Sequence, residues 1–216
     1  MKVAGTTTLI LLLTVTVSAT LAAMGRRESE LLGAGRFAGV HAIEVDSDSF
    51  DLNVLGTSSA RTSVEVVGSS SVRVSLRQGG STLYIAARDR RAIFSRSGAP
   101  GRIDIQTFEG VALEADVGSG DVDLRGFQGS TIDVDTGSGR IEARALFGEV
   151  AMRTGSGSLR MERVGGMATA QSGSGSITLI DGEGRIRLAT GSGALTLEAV
   201  RGDIEASSGS GLIAVD

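Results

Sequence analysis

Residues 154–172 of the chain read TGSGSLRMERVGGMATAQS, and residues 173–190 continue with GSGSITLIDGEGRIRLAT. The tripeptide Gly-Ser-Gly near the start of both stretches occurs six times, beginning at residues 118, 137, 155, 173, 191 and 209. Successive copies are therefore 19, 18, 18, 18 and 18 residues apart. A period held this closely over five intervals is typical of a repeat architecture in which each unit stacks on the next.

Apolar and polar residues alternate inside each repeat. In the first quoted unit, Leu159 and Met161 form one apolar pair, and Ala168 and Ala170 form a second pair nine residues later. A spacing of two is the side-chain period of a β-strand. Glycine accounts for 32 of the 216 residues, and each glycine costs about 1 kcal/mol in a helix interior. Each unit is therefore predicted to contain two short strands separated by glycine turns.

Two short strands with one apolar face each cannot form a core alone, but stacked copies of them can. We therefore predict an all-β fold, a parallel β-solenoid (β-roll or β-helix) with two sheets and 18-residue coils. The predicted inward columns are Val122, Ile141, Leu159, Ile177, Leu195 and Ile213 in one sheet, with Ala143, Met161, Leu179 and Leu197 beside them, and Ile132, Val150, Ala168, Ile186 and Ile204 in the other.

The outward positions carry charges that match between neighbouring coils. In-register stacking predicts six opposite-sign neighbours: Asp121 with Arg140, Glu142 with Arg160, Arg144 with Glu162, Asp135 with Arg153, Arg185 with Asp203, and Arg187 with Glu205. Two like-sign neighbours are also predicted, Asp123 with Glu142 and Arg125 with Arg144. Each exposed pair contributes only about 0–1 kcal/mol, so these charges indicate a solvated, self-complementary surface.

The turns have their own predicted chemistry. Because the chain must reverse within two or three residues, we expect positive φ angles at the turn glycines. A hydroxyl residue precedes each later Gly-Ser-Gly, and these side chains are predicted to bond backbone groups of the turn; they are Thr136, Thr154, Ser172, Thr190 and Ser208.

The part of the chain before the repeats divides into three segments. Residues 1–24 begin with Met1-Lys2 and continue with an uncharged apolar stretch, which predicts an export signal peptide or, if residues 4–24 remain uncleaved, a membrane anchor. Residues 25–36 are predicted to be a linker. Residues 37–216 are predicted to be one domain, whose less regular strands before residue 118 cap the N-terminal end of the solenoid.

A basic stretch from Arg88 to Arg102 interrupts the strand pattern and contains Pro100, the single proline. It is interpreted either as a loop that meets an anionic surface or as an ordinary solvated loop. The whole chain carries a net charge of −4 and has only 3% aromatic residues. Because nucleic-acid binding normally requires basic surfaces and stacking aromatics, a nucleic-acid partner is not predicted.

The search for catalytic or metal-binding motifs gives a negative prediction. A calcium-binding β-roll needs an acidic residue in each glycine turn, whereas only Asp121 among the residues that follow the six tripeptides is acidic. The single histidine, His41, has no cysteine or second histidine to share a metal site. The carboxylate pairs Asp121–Asp123 and Asp133–Asp135 have arginine neighbours that give them a structural role. We therefore predict no catalytic, cofactor-binding or metal-binding residues and no cofactor.

The Thr/Ser-Gly-Ser-Gly register, together with the entry segment Phe37–Val45, resembles bacterial adhesin-like domains of unknown function and the related head-GIN autotransporter adhesin domain. This resemblance covers nearly all of residues 37–216. It implies an exported parallel β-roll in the cell envelope with no established catalytic activity. It implies no functional residues that could be assigned to positions of this chain.

The leading hypothesis is a non-enzymatic, exported interaction module of the cell envelope, located in the periplasm, on the cell surface or outside the cell. Its partner would be an envelope protein or a polysaccharide. One alternative is a structural scaffold that self-associates and polymerises through an open C-terminal rung, residues 209–216. Another alternative is a polysaccharide-acting enzyme that uses Asp121 and Asp123.

Overall fold

The computed structural model describes residues 30–69, 71–89 and 101–216, and all regular elements in those ranges are β-strands. In chain order the strands are β1 (Glu30–Ala38), β2 (Ala42–Ser47), β3 (Phe50–Thr57), β4 (Arg61–Gly68), β5 (Val72–Gly79), β6 (Thr82–Asp89), β7 (Gly101–Phe108), β8 (Ala112–Val117), β9 (Val122–Thr136), β10 (Ile141–Thr154), β11 (Leu159–Ser172), β12 (Ile177–Thr190), β13 (Leu195–Glu198), β14 (Arg201–Ser208) and β15 (Ile213–Val215). The predicted export segment 1–24 and residues 90–100 of the predicted basic loop lie outside the described residues.

The strands form two walls that enclose the core. The front wall contains, in spatial order, β1, β4, β7, β3, the first halves of β9 to β12, β13 and β15. The back wall contains β5, β6, β2, β8, the second halves of β9 to β12, and β14. From β9 onward, all wall pairings are parallel and each coil lies in register on the previous one. The predicted parallel β-solenoid with coils of about 18 residues is confirmed.

The predicted inward columns run along the solenoid axis as expected. Ile141 pairs with Val122 on one side and with Leu159 on the other, and Val150 pairs in the same way with Ile132 and Ala168. Apart from Ile204 and Ile213 at the C-terminal end, the column residues are at most 2% exposed. These columns, together with the apolar residues of the N-terminal strands, form one continuous core.

Each coil turns at a sharp corner between the walls, so that two predicted short strands appear as one long bent strand. The first corner residue of four successive coils has a left-handed backbone, with φ between 51° and 57° at Ala145, Arg163, Asp181 and Ala199. Three positions later stands a glycine with positive φ, for example 101° at Gly166. The first interval between tripeptides is 19 residues long, and its extra residue also lies at this corner. It is in β9, where the register with β10 shifts between Phe147 and Gly148.

The glycines of the Gly-Ser-Gly turns correct one prediction. Their φ angles are not positive; positive φ occurs instead at the corner glycines. Their requirement is steric, since a Cβ added to Gly175 would lie 1.8 Å from the carbonyl oxygen of Gly157, its counterpart one coil earlier. At Gly173 the corresponding distance to the oxygen of Gly155 would be 2.3 Å. The backbones of successive turns therefore stack too closely for a side chain at either glycine position.

The hydroxyl side chains before these turns bond the backbone as predicted. The Oγ of Ser172 accepts a hydrogen bond from the N–H of Gly175 at 2.8 Å and donates one to the carbonyl oxygen of Gly157 at 3.0 Å. The four equivalent residues make the same two bonds at 2.8–3.4 Å. Each hydroxyl therefore closes its own turn and ties it to the turn of the previous coil.

The N-terminal strands close the other end of the solenoid. Chain order and spatial order differ there, because the rung formed by β2 and β3 lies between the rung of β6 and β7 and that of β8 and β9. The end is covered by antiparallel strands, β1 and β4 on the front wall and β5 on the back wall.

The structure also corrects the second half of the predicted linker. Residues 30–36 belong to β1, which pairs with β4 from Ala38–Arg61 to Glu30–Gly68. The glycines that suggest a linker allow close packing instead, since a Cβ on Gly33 would lie 3.3 Å from Cγ1 of Val74 in β5.

Candidate interaction surface

The outer faces of both walls carry charged side chains, and four of the six predicted opposite-sign neighbours form ion pairs. These are Arg144–Glu162 at 3.6 Å, Arg153–Asp135 at 3.1 Å, Arg185–Asp203 at 3.8 Å and Arg187–Glu205 at 2.8 Å. All of these side chains are at least one-third exposed. The pairs therefore align the coils more than they stabilise them.

The two remaining pairs of predicted neighbours do not form the expected side-chain ion pairs. Asp121 accepts a hydrogen bond from the backbone N–H of Arg140 at 2.7 Å, and Glu142 pairs with Arg144 of its own strand at 3.0 Å rather than with Arg160. The predicted like-sign contact between Asp123 and Glu142 is relieved in the same way, because Asp123 forms an ion pair with Arg125 two residues along the chain. Both members of the Asp121–Asp123 pair thus have structural partners.

A shallow open concavity lies on the front wall around this pair. Its lining alternates in charge and consists of Asp51, Asn53, Arg102, Asp121, Val122, Asp123, Arg140 and Glu142. Arg102 forms an ion pair with Asp104 at 2.6 Å, and this hydrogen bond raises the pKa of the guanidinium above its ordinary value. The lining thus has more carboxylates than arginines, and several of its charged groups pair with residues just outside it, such as Arg125 and Arg144.

The back wall carries an unbalanced group of acidic residues, which we name the carboxylate array. It consists of Glu44, Asp46, Glu114, Asp116, Asp133 and Asp135. Register places Glu44 beside Glu114 and Glu114 beside Asp133, and the three aspartates Asp46, Asp116 and Asp135 line up in the next column. Three adjacent rungs thus present like charges directly opposite each other, an arrangement that destabilises a sheet.

Among the residues that the structure describes, arginines neutralise the two ends of the carboxylate array but not its centre. Arg88 pairs with Asp46, and Nη1 of Arg153 lies 2.8 Å from Asp133 and 3.1 Å from Asp135. The charge of Asp133 is the main cause that raises the pKa of Arg153. Within residues 30–69, 71–89 and 101–216, no set of three acidic, histidine or cysteine side chains is arranged to hold a metal ion.

The corner between the walls presents exposed apolar side chains, which we name the corner patch: Phe108, Phe147 and Met167. Their exposed fractions are 42%, 46% and 47%. Phe147 pairs with Gln128 on one side and with Gly165 on the other, and Met167 lies in the coil of Gly165. Gln128 in turn donates its backbone N–H to Glu109, the neighbour of Phe108. The two phenylalanines are thus about two rungs, or about 10 Å, apart along the axis.

Glycines hold the two aromatic rings against the backbone. A Cβ on Gly165 would lie 2.7 Å from Cδ1 of Phe147, and a Cβ on Gly110 would lie 2.8 Å from Cε1 of Phe108. Each ring therefore lies against a glycine, and slightly less than half of the residue's surface is exposed to solvent. Rings fixed in this way lose little side-chain entropy on binding, which favours them as contact residues.

Sequence reasoning missed the corner patch because it treated the chain as lacking exposed aromatics. A signal was nevertheless present in the repeat register. Phe147 occupies the column that also contains Gln128, Gly165, Glu183 and Arg201. A phenylalanine in a column of otherwise polar residues and glycine is predicted to face the solvent.

The remaining residues that the sequence singled out lie apart from this patch. His41 is exposed at the start of β2, where its backbone N–H bonds the oxygen of Ser81 and its carbonyl accepts from Ala112. Residues 209–216 form the last turn and β15 at the C-terminal end of the solenoid. The ranges that the structure describes contain no helix long and apolar enough to cross a membrane.

Comparison with known proteins finds one matching family and several similar solved structures. The Toastrack DUF4097 family matches residues 40–215. A "putative adhesin" from Bacteroides fragilis has a solved structure with a TM-score of 0.49 and 15% identity, which covers 88% of this chain and 98% of that protein. A "putative cell adhesion protein" from Clostridium sporogenes gives 0.39 and 12%, with coverages of 87% and 99%.

A third solved structure, a "putative adhesin" from Parabacteroides distasonis, gives a TM-score of 0.30 and 12% identity, with coverages of 88% and 98%. No curated protein matches the chain. At these identities and scores the three solved structures carry no argument about function, which must come from the surface of the chain itself.

Proposed function

The chain belongs to the Toastrack DUF4097 family, and we propose that it acts as a non-enzymatic, exported interaction module of the cell envelope, with an adhesin-like role. The observation that carries this proposal is the corner patch. Two phenylalanines and a methionine held about half-exposed along one rigid edge form an apolar surface on which a partner can dock. The partner would be an envelope protein or a polysaccharide.

The scaffold under the corner patch suits a binding role. The glycine turns and the hydroxyl bonds leave little freedom for one coil to move relative to the next. Leu146 and Val164, the corner residues next to Phe147 and Gly165, are buried in the core. A pre-organised surface binds without the entropic cost of ordering its loops.

Amphipathic surroundings suit a partner with both apolar and polar groups. Arg125 and Arg144 lie in the front wall two to three residues before the corner, and Glu149 pairs with Met167 on the back wall. An apolar centre that includes aromatic residues and has a polar rim is typical of protein–protein interfaces.

An enzymatic role has weaker support. The carboxylates of Asp121 and Asp123, the pair that a polysaccharide-acting enzyme would use, are held by Arg140 and Arg125. These contacts give both carboxylates a structural role. The apolar stretch in residues 1–24 supports export, and an exported domain would act in the periplasm, on the cell surface or outside the cell.

The test measures binding of the fluorescently labelled protein, after removal of residues 1–24, to envelope fractions of the organism that encodes it. This form keeps all of the described strands. We expect saturable binding that falls at least about tenfold in the double variant Phe108→Ser/Phe147→Ser. Treating the fractions with protease or with periodate separates a protein partner from a polysaccharide.

A matched control is the variant Tyr84→Ser, since Tyr84 is an exposed aromatic residue, 45% accessible, on the back wall away from the corner. Its binding should equal that of the unmodified protein. Equal binding of the double variant and the unmodified protein would overturn the role of the corner patch. Recovery of the chain in the cytosol of its own cells would overturn the proposed export.

A further inference from the structure

The chain contains few side chains that a mild oxidant can attack. Its sequence has no cysteine, no tryptophan and five methionines, of which Met1 and Met24 lie in the predicted export segment. The methionines that remain in residues 25–216 are Met152, Met161 and Met167. Methionine is a common site of oxidation in proteins, because its thioether sulfur is converted to the sulfoxide. These three residues are therefore the sulfur atoms that an oxidant could reach.

The structure separates the three methionines by exposure. Met152 and Met161 are 0% exposed, whereas Met167 is 47% exposed at the corner between the walls. Met152 belongs to β10, which is covered by β9 and β11, and Met161 belongs to β11, which is covered by β10 and β12. An oxidant reaches buried side chains of this kind only when the core strands open, and such openings are rare.

Met167 also lies where a polar atom would change the surface without disturbing the core. Its neighbours in the adjacent coils are the charged residues Glu149 and Arg185. Phe147 lies against Gly165, two residues before Met167, so the ring and the thioether belong to one apolar surface, the corner patch. Oxidation converts a flexible apolar side chain into a polar one and disrupts contacts made through methionine. A sulfoxide at this position would therefore make one end of the corner patch polar.

We propose that Met167 is a site of reversible oxidation by peroxides, and that its sulfoxide weakens binding at the corner patch. The sulfur lone pair attacks one oxygen of the peroxide, and the S–O bond forms as the O–O bond breaks. The leaving hydroxide or alkoxide takes the proton from the new S–OH group, so that water or an alcohol is released. The sulfur loses two electrons and the peroxide gains them. The site of oxidation follows from exposure alone, whereas its effect on binding rests on the proposed function.

The first measurement tests the site. The protein without residues 1–24 is treated with hydrogen peroxide, and the oxidation of each methionine is followed by peptide mass spectrometry. Met167 should gain one oxygen at least about a hundredfold faster than Met152 or Met161, because the buried residues react only from rarely opened states. In concentrated urea the three rates should be similar, since unfolding removes the protection. Comparable rates in the folded protein would overturn the proposal.

The second measurement tests the effect on the corner patch. After oxidation, retention on a phenyl hydrophobic-interaction column should fall. Saturable binding to envelope fractions should weaken at least about fourfold, the equivalent of one buried CH₂ group. Treatment with methionine sulfoxide reductases and a dithiol, which supplies the electrons for reduction, should restore both. Circular dichroism should be unchanged throughout, because Met167 lies outside the core.

Two variants of the same residue are the matched controls. Met167→Gln introduces a polar side chain of similar length and should reproduce both changes without peroxide. Met167→Leu keeps an apolar side chain of similar volume, so its binding and retention should equal those of the unmodified protein before and after peroxide treatment.

Several outcomes would overturn the proposal. These are unchanged binding and retention of the oxidised protein, unchanged binding of Met167→Gln, or an equal loss on oxidation in Met167→Leu and in the unmodified protein. If the unmodified protein shows no saturable envelope binding, the proposed function fails, and the effect of oxidation on binding fails with it. In that case the oxidation rates still decide separately whether Met167 is the site of oxidation.

Discussion

The substitution Gly175→Ala tests the stacking of the Gly-Ser-Gly turns most directly. The added Cβ would lie 1.8 Å from the carbonyl oxygen and 2.4 Å from the carbonyl carbon of Gly157. Side-chain carbons are essentially never closer than 3.0 Å to such atoms. The turn must therefore move by more than 1 Å, which is a large fraction of the space between stacked coils.

The bonds that this movement breaks set the size of the effect. Three hydrogen bonds lie at the displaced Gly-Ser-Gly turn. They join the N–H of Gly175 to the hydroxyl of Ser172, that hydroxyl to the oxygen of Gly157, and the N–H of Leu159 to the oxygen of Ser176. Each contributes about 1 kcal/mol, and partial exposure of the neighbouring core adds to the loss. We subtract about 0.5–1 kcal/mol for the lower entropy of the unfolded alanine variant. The free energy of unfolding should fall by about 3 kcal/mol.

The matched control is Gly129→Ala. Gly129 has a φ of +67°, and a Cβ placed on it would meet nothing within 4 Å. Its replacement therefore carries only the cost of a left-handed alanine, about 1 kcal/mol. Urea unfolding gives both free energies, and thermal unfolding should show a fall in Tm of about 6–12 °C for Gly175→Ala against about 2–4 °C for the control. Equal losses in the two variants would refute the idea that these glycines are required by close stacking.

Three further predictions concern stability measured by urea unfolding. Glu114→Lys should raise the free energy of unfolding by up to about 1 kcal/mol, because it converts two like-charge contacts in the carboxylate array into opposite-charge contacts. The gain should shrink in about 0.5 M salt, and a gain that persists there would contradict this reasoning. Ser172→Ala should cost about 2 kcal/mol through the loss of two hydrogen bonds, while Ser172→Thr, the residue found at the equivalent position Thr154, should be close to neutral. Arg163→Val should cost about 1–2 kcal/mol, because a β-branched residue is strained at the observed φ of 55°, whereas Arg163→Gly should not destabilise the protein.

The repeat half could be predicted in detail because it is periodic. Once the tripeptides fixed the period, Ile141 and Val150 were assigned to their columns by counting, and the hydroxyl of Ser172 was assigned to its turn. The reason for the glycines was only partly predictable. Sequence patterns indicate that a residue must be small, but they do not distinguish a positive φ at Gly166 from a close backbone contact at Gly175.

The N-terminal half resisted prediction because its rungs are not in chain order. Glu44 lies beside Glu114 only because β2 is inserted between β6 and β8. These two residues are 70 positions apart, and no repeat aligns the strands that carry them. The carboxylate array therefore cannot be predicted from the sequence pattern. The exposure of Phe147, in contrast, can be predicted from the sequence, because the repeat register assigns it to an outward column.

Because the coils are equal, a whole coil can be removed or added while the pairing pattern of the other coils stays the same. Removing residues 173–190 would join Ser172 to Gly191, place Leu195 on Leu159 and place Ile204 on Ala168, so that every column closes over the gap. Duplicating the same segment would extend the rod by one rung, about 4.8 Å. Insertions and deletions of 18 residues are therefore an accessible route by which relatives of this chain could vary their reach while keeping the same cross-section.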